Sequence, residues 1–328
     1  MRRSSVALGR RLALVALFGL VASSAWAQEF PTKAIRIIDG FAPGGTPDRL
    51  ARIIASRMSQ TFGQPVIVEN KVGANGTIGM GFVAKADPDG YTLFVGSTST
   101  MAVNPLLYKN SSFDPIKDFA PISMLAAQPL IVVVHPSVPA KTLNELVAYG
   151  KANPVALTVG IPGGIGHPFH LATLLFKSAT GTPMLEINYA KGGAPALVDL
   201  LAGRTHLMFG MSYVSAHVRD GRLRALAVTG PGRMELLSDV PTVKEAGVPF
   251  DEVTLWNAMA TRAGTPPAII AKLNAEIVRI LNLPEVRKQL VETGLEVIPS
   301  TPEEQARFIL SEVERWGRVV KQAGIQMQ

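Results

Sequence analysis

The residues best placed for chemistry in this chain lie in four glycine-rich turns. Phe41-Ala42-Pro43-Gly44-Gly45-Thr46-Pro47-Asp48 and Gly73-Ala74-Asn75-Gly76 fall early; Ile161-Pro162-Gly163-Gly164-Ile165-Gly166 and Lys191-Gly192-Gly193 fall in the middle. A turn of this kind between a strand end and a helix start lets backbone approach a ligand closely. It also presents unpaired N–H groups at the positive end of the helix dipole. The chemistry implied is anion capture by main-chain donors, which requires neither Arg nor Lys. Each side chain nearby reads two ways. Asp48 is a helix-start carboxylate balancing the dipole, or an acceptor facing a cleft. Asn75 is a left-handed turn residue or a ligand donor. Thr98 and Ser99 cap the next segment or donate to a ligand, and Phe41 lines the cleft or staples the helix start. Lys191 pairs with an anion or is simply solvated. His167 and His170, three apart and without a third ligand, read as packing or capping residues, and Trp256 and Trp316 as core or interface aromatics.

Other chemistries find less support. There is no GxSxG nucleophile elbow, no GxxxxGK[ST] phosphate loop, no GxGxxG spacing and no outstanding carboxylate pair. The chain has no Cys, and its five His show no HExxH or HxxxH spacing, so neither a metal nor a cofactor is expected.

The turns need elements to hold them. Apolar β-rich runs alternate with helical patterns, which argues for parallel α/β layers. Strands are expected at residues 35–38, 66–68 and 92–95, then at 157–160, 186–189, 207–209 and 225–228. A helix over 48–61 follows the first turn, another runs from the second turn to about residue 86, and others follow each middle turn. Two longer stretches, 121–134 and 253–261, are expected to cross between two α/β units, so that the C-terminal helices complete the first. The last helix, from Thr301 to Ala323, has a clear start: Thr301 as N-cap, Pro302 at N1 and Glu304 at N3. Periodicity alone leaves a single compact α/β sheet open. If the two units face each other, the turns converge on one cleft beyond the strand ends.

The N-terminus reads as a cleavable secretory signal over residues 1–27. Arg2, Arg3, Arg10 and Arg11 precede an apolar run from Leu12 to Val21, and Ala25-Trp26-Ala27 is a small-x-small cleavage site. That run is short for a membrane span, which needs about 20 residues; an N-terminal anchor helix is the alternative. Loss of these four arginines lowers the formal charge from +7 to +3. The basic character is then modest, and a nucleic-acid partner is not expected.

Taken in order, the motifs resemble one family. Phe41 to Asp48, Val68-Glu69-Asn70 with Gly73 to Gly79, Ala86-Asp87-Pro88-Asp89-Gly90-Tyr91-Thr92-Leu93, and Tyr189-Ala190-Lys191-Gly192-Gly193-Ala194-Pro195-Ala196 carry the resemblance. So do Gly221 to Val228, Val240-Pro241-Thr242 with Glu245-Ala246-Gly247, and the terminal Arg315-Trp316 and Val320 to Ile325. They resemble the substrate-binding proteins of tripartite tricarboxylate transporters, the Bug receptor family. The resemblance implies a two-lobed periplasmic binding protein of type II, Venus-flytrap architecture. Lobe 1 would hold residues 28–122 and 255–328, and lobe 2 residues 123–254. It further implies a periplasmic, monomeric receptor that passes a mono-, di- or tricarboxylate to the transporter's membrane components. Carried over to this chain, the gripping loops are Phe41 to Asp48 and Gly73 to Gly76 in lobe 1, with Gly163-Gly164 and Lys191-Gly192-Gly193 in lobe 2, so that the ligand contacts are Phe41, Ala42, Pro43, Gly44, Gly45, Thr46, Asp48, Ala74, Asn75, Gly76, Gly163, Gly164, Lys191 and Gly192. Thr98, His167 and Ser212 join them as candidates by their own places in the chain. The chain departs from the family at Gly210-Met211-Ser212-Tyr213 and at His206, and the first departure suggests a less polar wall suited to an aromatic or other bulky acid. Two alternatives keep the same cleft: a secreted α/β enzyme acting on a carboxylated substrate, and a ligand-presenting partner of a sensor kinase.

Overall fold

The computed structural model describes residues 30–108, 113–154, 157–190, 192–322, 324 and 325; the expected signal segment and Lys191 lie outside them. The chain builds two sheets. In the first, β1 (Ile35–Asp39), β2 (Val66–Asn70) and β3 (Thr92–Ser97) run parallel, β10 (Thr254–Arg262) lies antiparallel between β3 and β4 (Phe119–Pro129), and β11 (Glu296–Val297) pairs antiparallel with β4 at the edge. Its strand order is β11-β4-β10-β3-β1-β2. The second sheet has the order β7-β6-β8-β5-β9, from β5 (Ile131–Val134), β6 (Thr158–Pro162), β7 (Leu185–Tyr189), β8 (Leu207–Gly210) and β9 (Arg224–Val228).

Local sequence explains the elements that frame the turns. Ile35, Ile37 and Ile38 are fully buried on both faces of β1, as expected of a central strand covered by helices on each side. Helix α1 (Thr46–Phe62) opens with Pro47 in its first turn and buries Leu50, Ala51, Ile54, Ala55 and Met58 along one stripe. It stops at Gly63, whose left-handed φ of 64° lets its N–H reach Ser59 O at 3.1 Å. After the second turn comes α2 (Thr77–Ala84), and α3 (Asn104–Leu107) follows a π-helical segment, Ser99–Val103. In the second lobe α4 (Leu143–Ala152), α5 (Pro168–Thr180), α6 (Gly193–Leu201) and α7 (Ser215–Arg219) flank the sheet. Helices α8 (Pro267–Leu281), α9 (Pro284–Val291) and α10 (Pro302–Gln322) return to the first lobe. The capping box at the start of α10 forms: Glu304 N–H donates to Thr301 Oγ1 at 3.2 Å, and Thr301 N–H to Glu304 Oε2 at 2.9 Å.

The chain passes between sheets twice. Strand β4 stays in the first sheet through Pro129, so the first passage is at Leu130, downstream of the boundary expected after residue 122. The reason is that residues 119–129 pair along nearly the whole of β10 rather than bridging free space. The return is at Val253, next to the expected boundary at 254. Buried Thr229 ties both passages together. Leu130 N–H donates to its hydroxyl at 2.8 Å, the hydroxyl donates to Val253 O, and Thr229 N–H donates to Leu130 O at 2.9 Å. One apolar cluster contains residues of both lobes, among them Ile38, Phe94, Val132, Phe209, Trp256 and Trp316.

Candidate functional site

Three of the four strand-to-helix turns meet at a cavity of about 440 Å³ between the two sheets. From the first lobe, Phe41, Ala42, Pro43, Gly45, Thr46 and Pro47 form one wall, and Ser97, Thr98 and Ser99 extend it from the end of β3. From the second lobe come Pro162, Gly163, His167, Pro168 and Phe169, with Gly192, Gly193 and Met211. Gln128, Leu255, Trp256 and Asn257, on the two strands beside the passages, complete the lining.

The first wall is built to offer donors. Gly45 is the N-cap of α1 and takes no side-chain cap. Gly45 N–H is used by Ala42 O, Gly44 N–H by Asp48 Oδ2, and Phe41 N–H by Asp39 Oδ1. Among the described residues, the N–H groups of Ala42 and Thr46 have no protein acceptor, and both residues face the cavity. On the far wall, Gly193 opens α6 after Gly192, which has φ 95°. Two helix starts and a loop thus direct partial positive charge at one space.

Several expected contacts sit elsewhere, each for a physical reason. Asp48 is only 2% exposed and is absent from the cavity wall. Its carboxylate accepts from Gly44 N–H (2.9 Å), Asn70 Nδ2 (3.0 Å) and Arg52 (2.9 Å), so it shapes the turn from beneath. Arg52 and the other donors hold it down to about pKa 2, as an ion. Gly44 is likewise absent from the cavity lining. The second turn is a buttress rather than a wall. Ala74 and Asn75 adopt left-handed φ of 45° and 51°, and the Asn75 amide is engaged with Asn104 at 3.1 Å. A methyl group on Gly76 would lie 3.1 Å from the Phe41 ring and 2.5 Å from Thr100 Cγ2. Gly76 therefore packs against Phe41, and none of Ala74, Asn75 and Gly76 lines the cavity. Gly164 closes the 164–167 turn through its carbonyl, which accepts His167 N–H at 3.2 Å. The Ser212 hydroxyl accepts from Gln128 Nε2 at 2.8 Å and is turned from the wall, whereas Met211 reaches it. Thr98 does line the cavity, but its hydroxyl already takes Trp256 N–H at 2.9 Å.

His167 has a defined seat. It is the N-cap of α5, and its Nδ1 accepts from Phe169 N–H at 3.5 Å. Its ring stacks on Phe169 with centroids 5.2 Å apart and planes 9° from parallel. Burial pushes its imidazole down to about 4, so it is neutral near pH 7. His170 is a different case. Its Nδ1 accepts Gly166 N–H at 3.1 Å and its Nε2 meets Glu186 at 3.0 Å, so it braces the 163–167 turn from behind. Among the described residues no three His, Asp or Glu side chains gather as a metal site, and no helix is long and apolar enough to cross a membrane.

Gln128, Leu255 and Asn257 are wall residues that motif reading missed. Their signal was present: they lie within the two stretches expected to pass between lobes, and a cleft between lobes must be floored by those passages.

Comparison with known proteins fits this geometry. The profile described as the tripartite tricarboxylate transporter family receptor matches residues 50–325. Protein BugT of Bordetella pertussis is 35% identical over 324 residues, covering 97% of this chain and 99% of BugT. This chain belongs to that receptor family. The receptor's fold is shared with R. palustris Rpa4515 with adipate (TM-score 0.80, 36% identity, 92% of this chain and 100% of that one). It is shared too with MatC from Rhodopseudomonas palustris with bound malate (TM-score 0.75, 32% identity, 89% and 100%). The two-lobed α/β architecture of periplasmic binding proteins implied by the resemblance is therefore the receptor's architecture.

Proposed function

We propose that this receptor captures a small carboxylate with an apolar body in the interlobe cavity and presents it to the membrane components of its transporter. The observation that carries the reading is the first wall: the free N–H groups of Ala42, in the turn, and Thr46, at the start of α1, open on the interlobe cavity. One carboxylate accepts from these donors without a cationic side chain, in a medium where hydrogen bonds to an ion are strong. The rest of the cavity suits carbon. Phe41, Pro43, Phe169, Met211, Leu255 and Trp256 face it, and no ionised side chain does so among the described residues. Three ionised carboxylates would be poorly compensated there, because buried charge needs a partner for each group. Solutes such as the adipate and malate bound by the two structural relatives have the right anchor, and adipate also has the longer methylene body.

The chain acts by binding rather than turnover, in the periplasm after removal of its signal segment, and as a monomer. Its family and relatives carry receptor and binding-protein names, which supports the first point. A micromolar ligand needs about −8 kcal/mol, within reach of a few charge-assisted hydrogen bonds and a buried hydrocarbon chain. A thermal-shift screen of mono-, di- and tricarboxylates on the mature protein tests this. A solute at one hundred times its dissociation constant adds about 2.7 kcal/mol to apparent stability. Apolar-bodied mono- and dicarboxylates should produce that shift and citrate should not; a panel in which no carboxylate stabilises the protein sinks the reading.

A further inference from the structure

We propose that His167 is a ligand-contacting donor, and that binding of an anionic solute is coupled to protonation of its ring. The inference rests on the carboxylate reading above and adds a specificity residue to it. The ring is fixed on three sides. Phe169 stacks on one face. On the other lies Gly163, where a methyl group would sit 2.5 Å from both Cγ and Cδ2 and where φ is +82°, so only glycine leaves room for the imidazole. The third side is Nδ1, an acceptor for Phe169 N–H at the start of α5. An acceptor Nδ1 in a neutral ring places the proton on Nε2. Among the described residues Nε2 has no hydrogen-bond partner, and the ring lines the cavity.

The rest of the wall makes this nitrogen stand out. The side-chain amides of Gln128 and Asn257 donate to Ser212 Oγ and Gly96 O, and the Thr98 hydroxyl is held by the Trp256 backbone. The charged groups on neighbouring elements are paired with one another. Lys177 and His170 on α5 meet Glu186 on β7, and Asp48 on α1 is turned to Arg52. The Tyr213 hydroxyl stands over Gly193, not over the imidazole. In the empty receptor nothing offsets burial, and the ring is neutral. A carboxylate brought to Nε2–H favours the charged ring: the added proton goes to Nδ1, which then gives up its long, 3.5 Å bond from Phe169 N–H, and the ring's affinity for a proton rises back toward the usual histidine range. The bound state then holds more protons than the free state over the interval between the two values. Affinity therefore rises as pH falls through that interval, by at most about tenfold per pH unit for one proton. Protonation of the solute itself, near about pH 4, sets the lower end of the window.

The test is calorimetric titration with adipate between about pH 7.5 and about pH 5.5, in two buffers of different ionisation heat, on wild type and His167→Asn. Asn keeps an N-cap acceptor for α5 and cannot titrate. The wild type should bind about three- to tenfold more tightly at the lower pH with net proton uptake, and His167→Asn should lose both the uptake and the pH dependence. Adipate binding without proton uptake, or an unchanged pH profile in His167→Asn, overturns this inference and leaves the carboxylate reading standing. Silence of the whole carboxylate panel removes the reading and this inference together. Should the variant fail to fold, histidine-selective NMR on the wild type decides: adipate at about pH 6 must convert one neutral imidazole to the charged form. No such conversion overturns the proposal.

Discussion

Asp39 and Asp48 share one donor, the Asn70 amide, yet they titrate in opposite directions. Asn70 reaches both because Asp39 and Asn70 are register partners at the ends of β1 and β2, while Asp48 lies in the first turn of α1 above them. Asp48 has Arg52 beside it and stays ionised, down to about 2. Asp39 is fully buried, and burial pushes it up to about 7 despite its bond from Phe41 N–H. The consequences for stability have opposite signs. The folded state binds the Asp39 proton more tightly than the unfolded chain, so this group's contribution is lost as pH rises from about 4 to about 7. Asp48 contributes above the unfolded carboxylate range, and that contribution is lost as pH falls toward about 2. Asp39→Asn should therefore flatten the neutral-side slope, which can approach about 1.4 kcal/mol per pH unit. Its own baseline should drop by about 1–2 kcal/mol, because the new amide faces the Asn70 amide. Urea unfolding at several pH values measures both, and an unchanged slope would show that Asp39 is not the group responsible.

At the scale of elements, α10 governs the cavity floor through one side chain. Glu312 is buried, and its Oε2 accepts from Trp256 Nε1 at 2.8 Å and from Trp316 Nε1 at 3.0 Å. Its Oε1 pairs with Arg315 at 3.1 Å, and Arg315 also donates to Glu252 O beside the second passage. One carboxylate thus joins the C-terminal helix, the cavity-lining indole and the return strand. Glu312→Ala leaves two indole N–H groups and a guanidinium without their acceptor. We expect a loss of about 3–5 kcal/mol in stability, as for a buried ion pair broken from one side, together with altered tryptophan fluorescence. A melting transition within about 0.5 kcal/mol of wild type would mean that the indoles find other acceptors.

For the whole molecule, two lobes joined by short, hydrogen-bonded passages at Leu130 and Val253 favour hinge motion over internal rearrangement. Closure follows only if the closed form binds ligand better than the open one, and walls on both lobes supply that difference. Small-angle scattering should show contraction on adding a saturating carboxylate. Because the cavity attracts its anion with backbone dipoles, affinity should change by less than about twofold between about 0.05 and 0.5 M salt. A steep salt dependence in calorimetry would instead place a mobile cation in the binding step.

The glycine turns, the order of strands and helices and the capping box at Thr301 were legible in the sequence, because each is a local pattern. Backbone conformation and apolar periodicity act over a few residues, and so they can be read without knowing what packs where. The direction of individual side chains was not legible. Asp48 and Asn75 look equally able to bind a ligand or hold a turn until their partners, Arg52, Asn70 and Asn104, arrive from distant segments and claim their hydrogen bonds. Gln128 and Asn257 carry no motif and become wall residues only when the two passages lie side by side. The sequence determined which turns can grip an anion, since donors at helix starts belong to the chain's own backbone. The tertiary structure decided which of those turns do face the cavity, since facing depends on how two sheets folded far apart in the chain are set against each other.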